Sequence, residues 1–166
     1  MTQHSPDPAE RLAESELRGL KTALRAMLGS EAHVIDCQAQ PLKGGTVGQV
    51  RLITGMAQTA EAGRLPFRLV QKTQRKWERP GDPDSWRREY DLYRSRLSDL
   101  FDDSLRWPIC FHADMNDEQD QTRIWMEYID GPAGYTLTPN MLEQAARALA
   151  GFKAACMPGS RTSRAG

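Results

Sequence analysis

Cysteine is scarce in this 166-residue chain: Cys37, Cys110 and Cys156 stand far apart and are odd in number. That excludes a disulfide framework, and no zinc-ligand spacing is present. The three residues read as reduced, partly buried thiols. Charge of one sign is not in excess either. Lys plus Arg (22) equal Asp plus Glu (22), so no global field draws the chain to nucleic acid or anionic lipid. The one local cluster is Lys72, Arg75, Lys76 and Arg79. No apolar run approaches the roughly 20 residues that span a bilayer. The opening "MTQHSPDPAE" has no apolar signal core. A cytoplasmic protein without membrane or nucleic-acid partners is the expectation. What is present suffices for one domain with a core, since a chain of this length buries about 70% of its unfolded surface.

The pattern of apolar residues sets the elements. Pro8 to Leu28 reads as a helix, with Leu17, Leu20, Leu24 and Met27/Leu28 at helical spacing and Gly29 as its stop. From Val34 the texture becomes strand-like: "VIDCQAQPL", then "QVRLITGM" after a glycine cluster, then "FRLVQKTQ" with period two. "AQTAEAGRLP" reads as a loop between the last two. In "RPGDPDSWRREYDLYRSRLSDLF", Asp82 and Pro83 resemble a helix cap and first position. Trp86, Tyr90, Tyr93, Leu97 and Leu100/Phe101 form its apolar stripe. "LRWPICFHADM" and "QTRIWMEYI" are two further strands joined by the acidic turn "NDEQD". "TLTPNMLEQAARALAGFKAAC" is a helix capped by Thr138, with Pro139 first and Met141/Leu142, Ala145, Leu149 and Phe152 on one face. The remaining "MPGSRTSRAG" reads as a disordered tail. Strands in adjacent pairs imply an α+β fold: an antiparallel sheet of about five strands carrying one inserted helix.

The glycine cluster "KGGTVGQV" invites three readings. A P-loop, G-x-x-x-x-G-K-S/T, is excluded because Gln49-Val50 follows Gly48. A dinucleotide fingerprint needs a helix after the glycines, and "VRLIT" is a poor helix start. The third is strand, G-x-G-x-x-G-x-V, strand, a lid over ATP phosphates. Gly45, Gly48 and Val50 match it, and Lys43 replaces the first glycine. A ligand-free Gly-rich hairpin turn accounts for the same residues.

Neighbouring residues bear on the choice. In "LVQK", Val70 and Lys72 point to one face of a strand. Glu89 lies between Trp86 and Tyr90 at the edge of the apolar stripe, so its carboxylate faces the sheet. A Lys–Glu pair there would hold the lysine charged. The alternatives are a solvated edge lysine and a surface i,i+4 partner for Arg94.

With "GGTVGQV", "LVQK", "WRREYDLYRSRL" and "WMEYIDG" in this order, Val34–Gly131 resembles the N-terminal lobe of the protein-kinase-like fold. Within that fold it is most similar to the aminoglycoside phosphotransferase family and its choline-kinase-like relatives. "LTPNMLEQAARALAGFKAAC" resembles the first large C-lobe helix of that family. The division implied is a leader and helix (1–33), the lobe (34–131), a connector and first C-lobe helix (132–157), and the tail (158–166). The resemblance implies ATP as cofactor, with Mg²⁺ only if a C-lobe is supplied. It places Gly45, Thr46 and Gly48 at the β/γ-phosphates, and Lys72 at the α/β-phosphates paired with Glu89. Val50 and Val70 would pack on adenine and Met126 at the back of the pocket. The Glu127 C=O and Ile129 N–H would meet the adenine edge.

That family's chemistry also needs an H-x-D-x-x-x-x-N loop and a later aspartate for metal. "HADMNDEQ" carries His112 and Asp114 but Gln119 for the asparagine, and precedes the connector strand. It reads as a strand end and hairpin turn. No catalytic or metal-binding residue is therefore assigned. Loss of the catalytic aspartate alone costs on the order of 10²–10⁴-fold. The expectation is the ATP-binding portion of a small-molecule phosphotransferase, catalytically incomplete as given, from a truncated or frame-shifted product or an excised fragment. A non-catalytic nucleotide-binding or interaction module, perhaps dimeric, is the alternative. A third reading is an unrelated α+β domain whose glycines only turn a hairpin.

Overall fold

The first helix starts where one carboxylate closes its first turn. Glu16 Oε2 accepts from the Ala13 N–H at 2.9 Å, and α1 runs Glu14–Leu28, not from Pro8. Arg11–Ala13 are non-helical, and Ala13 is extended. Glu14 and Glu16 in the first turn and Arg25 in the last suit the helix dipole. Gly29 ends it, its N–H donating to Arg25 O at φ 107°. This computed structural model describes residues 11–42, 48–77, 79–95, 106–132 and 136–156, with side chains through 154.

Five strands follow: β1 (His33–Pro41), β2 (Gln49–Thr59), β3 (Gly63–Arg75), β4 (Cys110–Asn116) and β5 (Gln121–Glu127). They form one antiparallel sheet in the order β1-β2-β3-β5-β4. Helix α2 (Arg88–Arg94) lies in the chain between β3 and β4, and α3 (Pro139–Cys156) follows β5. The class expected from sequence, α+β with a five-stranded antiparallel sheet, is the one observed.

Three further element boundaries differ. Most of "AQTAEAGRLP" is strand, because Thr59 pairs directly with Gly63. Thr59 Oγ1 accepts from the Ala62 N–H at 3.1 Å, and Gly63 takes φ 70°. Pro66 is tolerated in β3 because β5 pairs only with Leu69–Arg75, so Pro66 has no partner strand on that side. Helix α2 begins at Arg88 rather than Pro83. Asp82–Arg88 instead form i→i+3 turns, Ser85 N–H to Asp82 O at 3.3 Å and Arg87 N–H to Asp84 O at 3.1 Å. The Asp82 carboxylate is taken by the Arg88 guanidinium. Leu97, Leu100 and Phe101 lie outside the described residues. Strand β4 begins at Cys110 rather than Leu105, after Pro108, which has no N–H to donate.

The "NDEQD" turn is as expected. Asn116 caps a 3₁₀ turn over Asp117–Gln119, accepting from the Gln119 N–H at 3.2 Å, and Asp120 is left-handed at φ 46°. Thr138 caps α3, accepting from the Met141 N–H at 3.3 Å.

The described residues fall into two compact units. One comprises those up to Arg94 together with Pro108–Tyr128; the other comprises those of Ser95–Trp107 and Ile129–Gly166. In the first, α1 contributes Leu20, Ala23 and Leu24 to a core with Ala39, Ile53, Leu69 and Trp125. Gly19 permits the close approach: a Cβ there would sit 2.6 Å from Trp125 Nε1. In the second, α3 exposes Met141, Leu142 and Leu149. Among the described residues no helix is long and apolar enough to cross a membrane.

Candidate functional site

Directly opposed residues of an antiparallel pair share a face. The register opposes Val50 to Lys72 and Leu52 to Val70. It also opposes Val70 to Met126 and Lys72 to Ile124. These six therefore lie on one face of the sheet. Their chain neighbours Arg51, Ile53, Leu69, Gln71 and Trp125 lie on the other, buried against α1. The first face carries an apolar patch of Val50, Leu52, Val70 and Met126 with one lysine at its edge.

That lysine is held. Lys72 Nζ donates to Glu89 Oε1 and Oε2, both at 2.6 Å. Glu89 sits in the first turn of α2. The two side chains are 35% and 36% exposed, so water screens the pair and its stabilisation is about 1 kcal/mol or less. Its effect is on geometry. An ammonium has three N–H donors; two are engaged by the carboxylate, and one remains for another acceptor.

One helical turn on, Tyr93 reaches the same face, its hydroxyl 3.9 Å from Met126 Sδ. Burial first, then the charge of Glu89, then Cys110, hold its phenol above the ordinary value. It is a neutral hydroxyl throughout the physiological range.

At the glycine loop, Leu42 N–H donates to Val50 O at 2.9 Å and closes the base. Gly48 has φ 88°, and a Cβ there would lie 2.7 Å from Thr73 O. Both facts demand glycine at that position for the hairpin itself. Gly45 and Thr46 lie outside the described residues. Glu127 ends β5; its N–H donates to Ile109 O at 2.8 Å, and its carboxylate accepts from the Ile109 N–H at 3.2 Å. Ile129 is exposed and belongs to the second unit. Of the sequence-derived candidates, Val50, Val70, Lys72, Glu89 and Met126 are thus gathered on one side of the sheet, with Gly48 at the adjoining hairpin.

Sequence reasoning missed what lies beneath. Arg51 and Gln71 are opposed in register on the α1 side, and Arg51 Nε donates to Gln71 Oε1 at 2.9 Å. The Arg51 guanidinium also engages Glu16, and Gln71 Nε2 lies 3.4 Å from Glu16 Oε1. Strand parity was the available signal: Arg51 is two residues from Ile53 and Gln71 two from Leu69. A polar groove of about 450 Å³ between α1 and β4 is lined by Arg18, Thr22, His112, Asp114 and Arg123. Its buried guanidinium, Arg123, donates to Asp114 and to Ser15 O, each at 3.4 Å, and ties α1 to the sheet. Among the described residues no cluster of His, Cys, Asp or Glu could hold a metal ion.

No family profile, curated protein or solved structure matches the chain.

Proposed function

We propose that this chain is the ATP-binding N-terminal portion of a small-molecule phosphotransferase of the aminoglycoside or choline-kinase-like type. The observation that carries the reading is the two-oxygen Lys72–Glu89 pair beside the Val50/Leu52/Val70/Met126 patch. An apolar surface suits the two faces of a purine, and a charged, oriented ammonium suits the polyphosphate. Glu89 keeps Lys72 in place, and the neutral Tyr93 hydroxyl meets Met126 behind the patch. The segment that joins β1 to β2 would cover the phosphates. Phosphoryl transfer depends on positioning and electrostatics. This chain has no H-x-D-x-x-x-x-N motif to orient an acceptor hydroxyl, so its own part is to bind and orient the nucleotide. Calorimetric titration with ATP tests this: binding at millimolar affinity or better, abolished by Lys72→Ala, is the expected result.

A second reading, a non-catalytic interaction module that self-associates, is favoured by Met141, Leu142 and Leu149 exposed on α3. Sedimentation of the wild-type chain against Leu142→Glu/Leu149→Glu tests it, a dimer lost in the double variant being the expected signature.

A further inference from the structure

A deeply buried polar cluster lies behind the candidate site, on the α1 side of the sheet. Arg51 is 4% exposed and Gln71 0%, and the Glu16 side chain on α1 is only 14% exposed. All three bond one another across three elements, α1, β2 and β3. Charged groups taken this far out of water hold their geometry tightly, because each lost bond leaves a buried polar atom unpaired.

The register gives that rigidity a direction. Arg51–Gln71 and Val50–Lys72 are successive opposed pairs on the same two strands. Side chains one residue apart on a strand point to opposite faces. Fixing Arg51 and Gln71 from the α1 side therefore fixes the backbone that aims Val50 and Lys72 to the other side. Glu16 is bonded to both members of the pair and so acts as a clamp across them.

We infer that Glu16 is a positioning residue for the nucleotide site: from the far face of the sheet, its carboxylate clamps Arg51 and Gln71 and thereby holds Val50 and Lys72 where the nucleotide meets them. The inference rests on the nucleotide reading above and adds α1 to it as a control point. A segment that displaced α1 would loosen the site without touching the ligand.

The test compares ATP affinity in four full-length chains: wild type, Glu16→Ala, Glu16→Gln and Leu24→Ala. Leu24 is a core residue of α1 that makes no bond to Arg51 or Gln71, so it reports general destabilisation. Measurements are made at a temperature where circular dichroism shows each variant folded. The backbone amide shifts of Val50 and Lys72 are followed in parallel. Glu16→Ala is expected to weaken ATP binding on the order of three- to tenfold and to shift both amides. Glu16→Gln, which keeps an acceptor for Arg51, is expected to recover most of the affinity. Leu24→Ala should leave both readouts near wild type. Equal affinity in wild type and Glu16→Ala, or an equal loss in Leu24→Ala, overturns the positioning role while leaving the nucleotide reading in place. If Glu16→Ala does not fold, Glu16→Gln with wild-type shifts and near wild-type affinity supports the clamp, and Glu16→Gln weakened as Leu24→Ala is overturns it. Absence of ATP binding by the wild-type chain overturns the nucleotide reading itself.

Discussion

Lys72 on the third strand and Glu89 on the inserted helix meet with both carboxylate oxygens 2.6 Å from one ammonium. They lie seventeen positions apart in sequence, and the contact ties α2 to the sheet. Removing either partner should change binding more than stability. Because both groups are a third exposed, Glu89→Gln should shift unfolding free energy by about 1 kcal/mol or less. Under the proposed function it should weaken ATP binding about tenfold, a cost of about 1.4 kcal/mol. Urea melts and calorimetry on one preparation separate the two effects.

The glycine hairpin yields a prediction independent of any ligand. Gly48→Ala places a Cβ 2.7 Å from Thr73 O at φ 88°, whereas Gly63→Ala, at φ 70°, meets no atom within 4 Å. Gly63→Ala should cost about 1 kcal/mol from backbone conformation alone. Gly48→Ala should cost more, about 2–4 kcal/mol, because steric overlap with backbone is added to the strain. Denaturant midpoints of the two variants give the order.

Tyr93 should govern part of the alkaline stability. Its folded value is raised above the unfolded value of 10.0, so the unfolded chain releases its proton first. The stabilisation is fully present below pH 10 and is lost as pH rises from there through the folded value. Tyr93→Phe should flatten this part of the stability-against-pH curve. Absorbance of phenolate near 295 nm, recorded on folded protein, should show one tyrosine titrating late.

The thiols should be sluggish. Burial and then the charge of Asp36 raise Cys37; burial raises Cys110, partly offset by its hydrogen bond to the His112 backbone. Since the thiolate is the nucleophile, Ellman's reagent at pH 8 should modify both more slowly in the native protein than in urea. Single-cysteine variants assign the rates.

Much of the architecture is legible in the sequence because it follows two periods. The alternation in "FRLVQKTQ" sets Val70 and Lys72 on one side. Glu89 reaches Lys72 from the first turn of α2, while Trp86 lies before that helix in the i→i+3 turns. The starts of α2 and β4 are not legible, because Asp82 spends its carboxylate on Arg88 rather than on a cap, and Pro108 delays strand pairing. The position of β5 between β3 and β4 also depends on pairing between distant segments, which local pattern does not encode. Arg51 and Gln71 drew no assignment, although strand parity puts them on the side of Ile53 and Leu69; their partner Glu16 lies far away in sequence, on a helix that local pattern does not place over them.

The most direct test of the account is calorimetric titration of the wild-type chain and Lys72→Ala with ATP, with and without Mg²⁺. The account predicts saturable binding at millimolar affinity or better in the wild type and none in Lys72→Ala. No heat of binding in the wild type, or equal affinity in both, would contradict it.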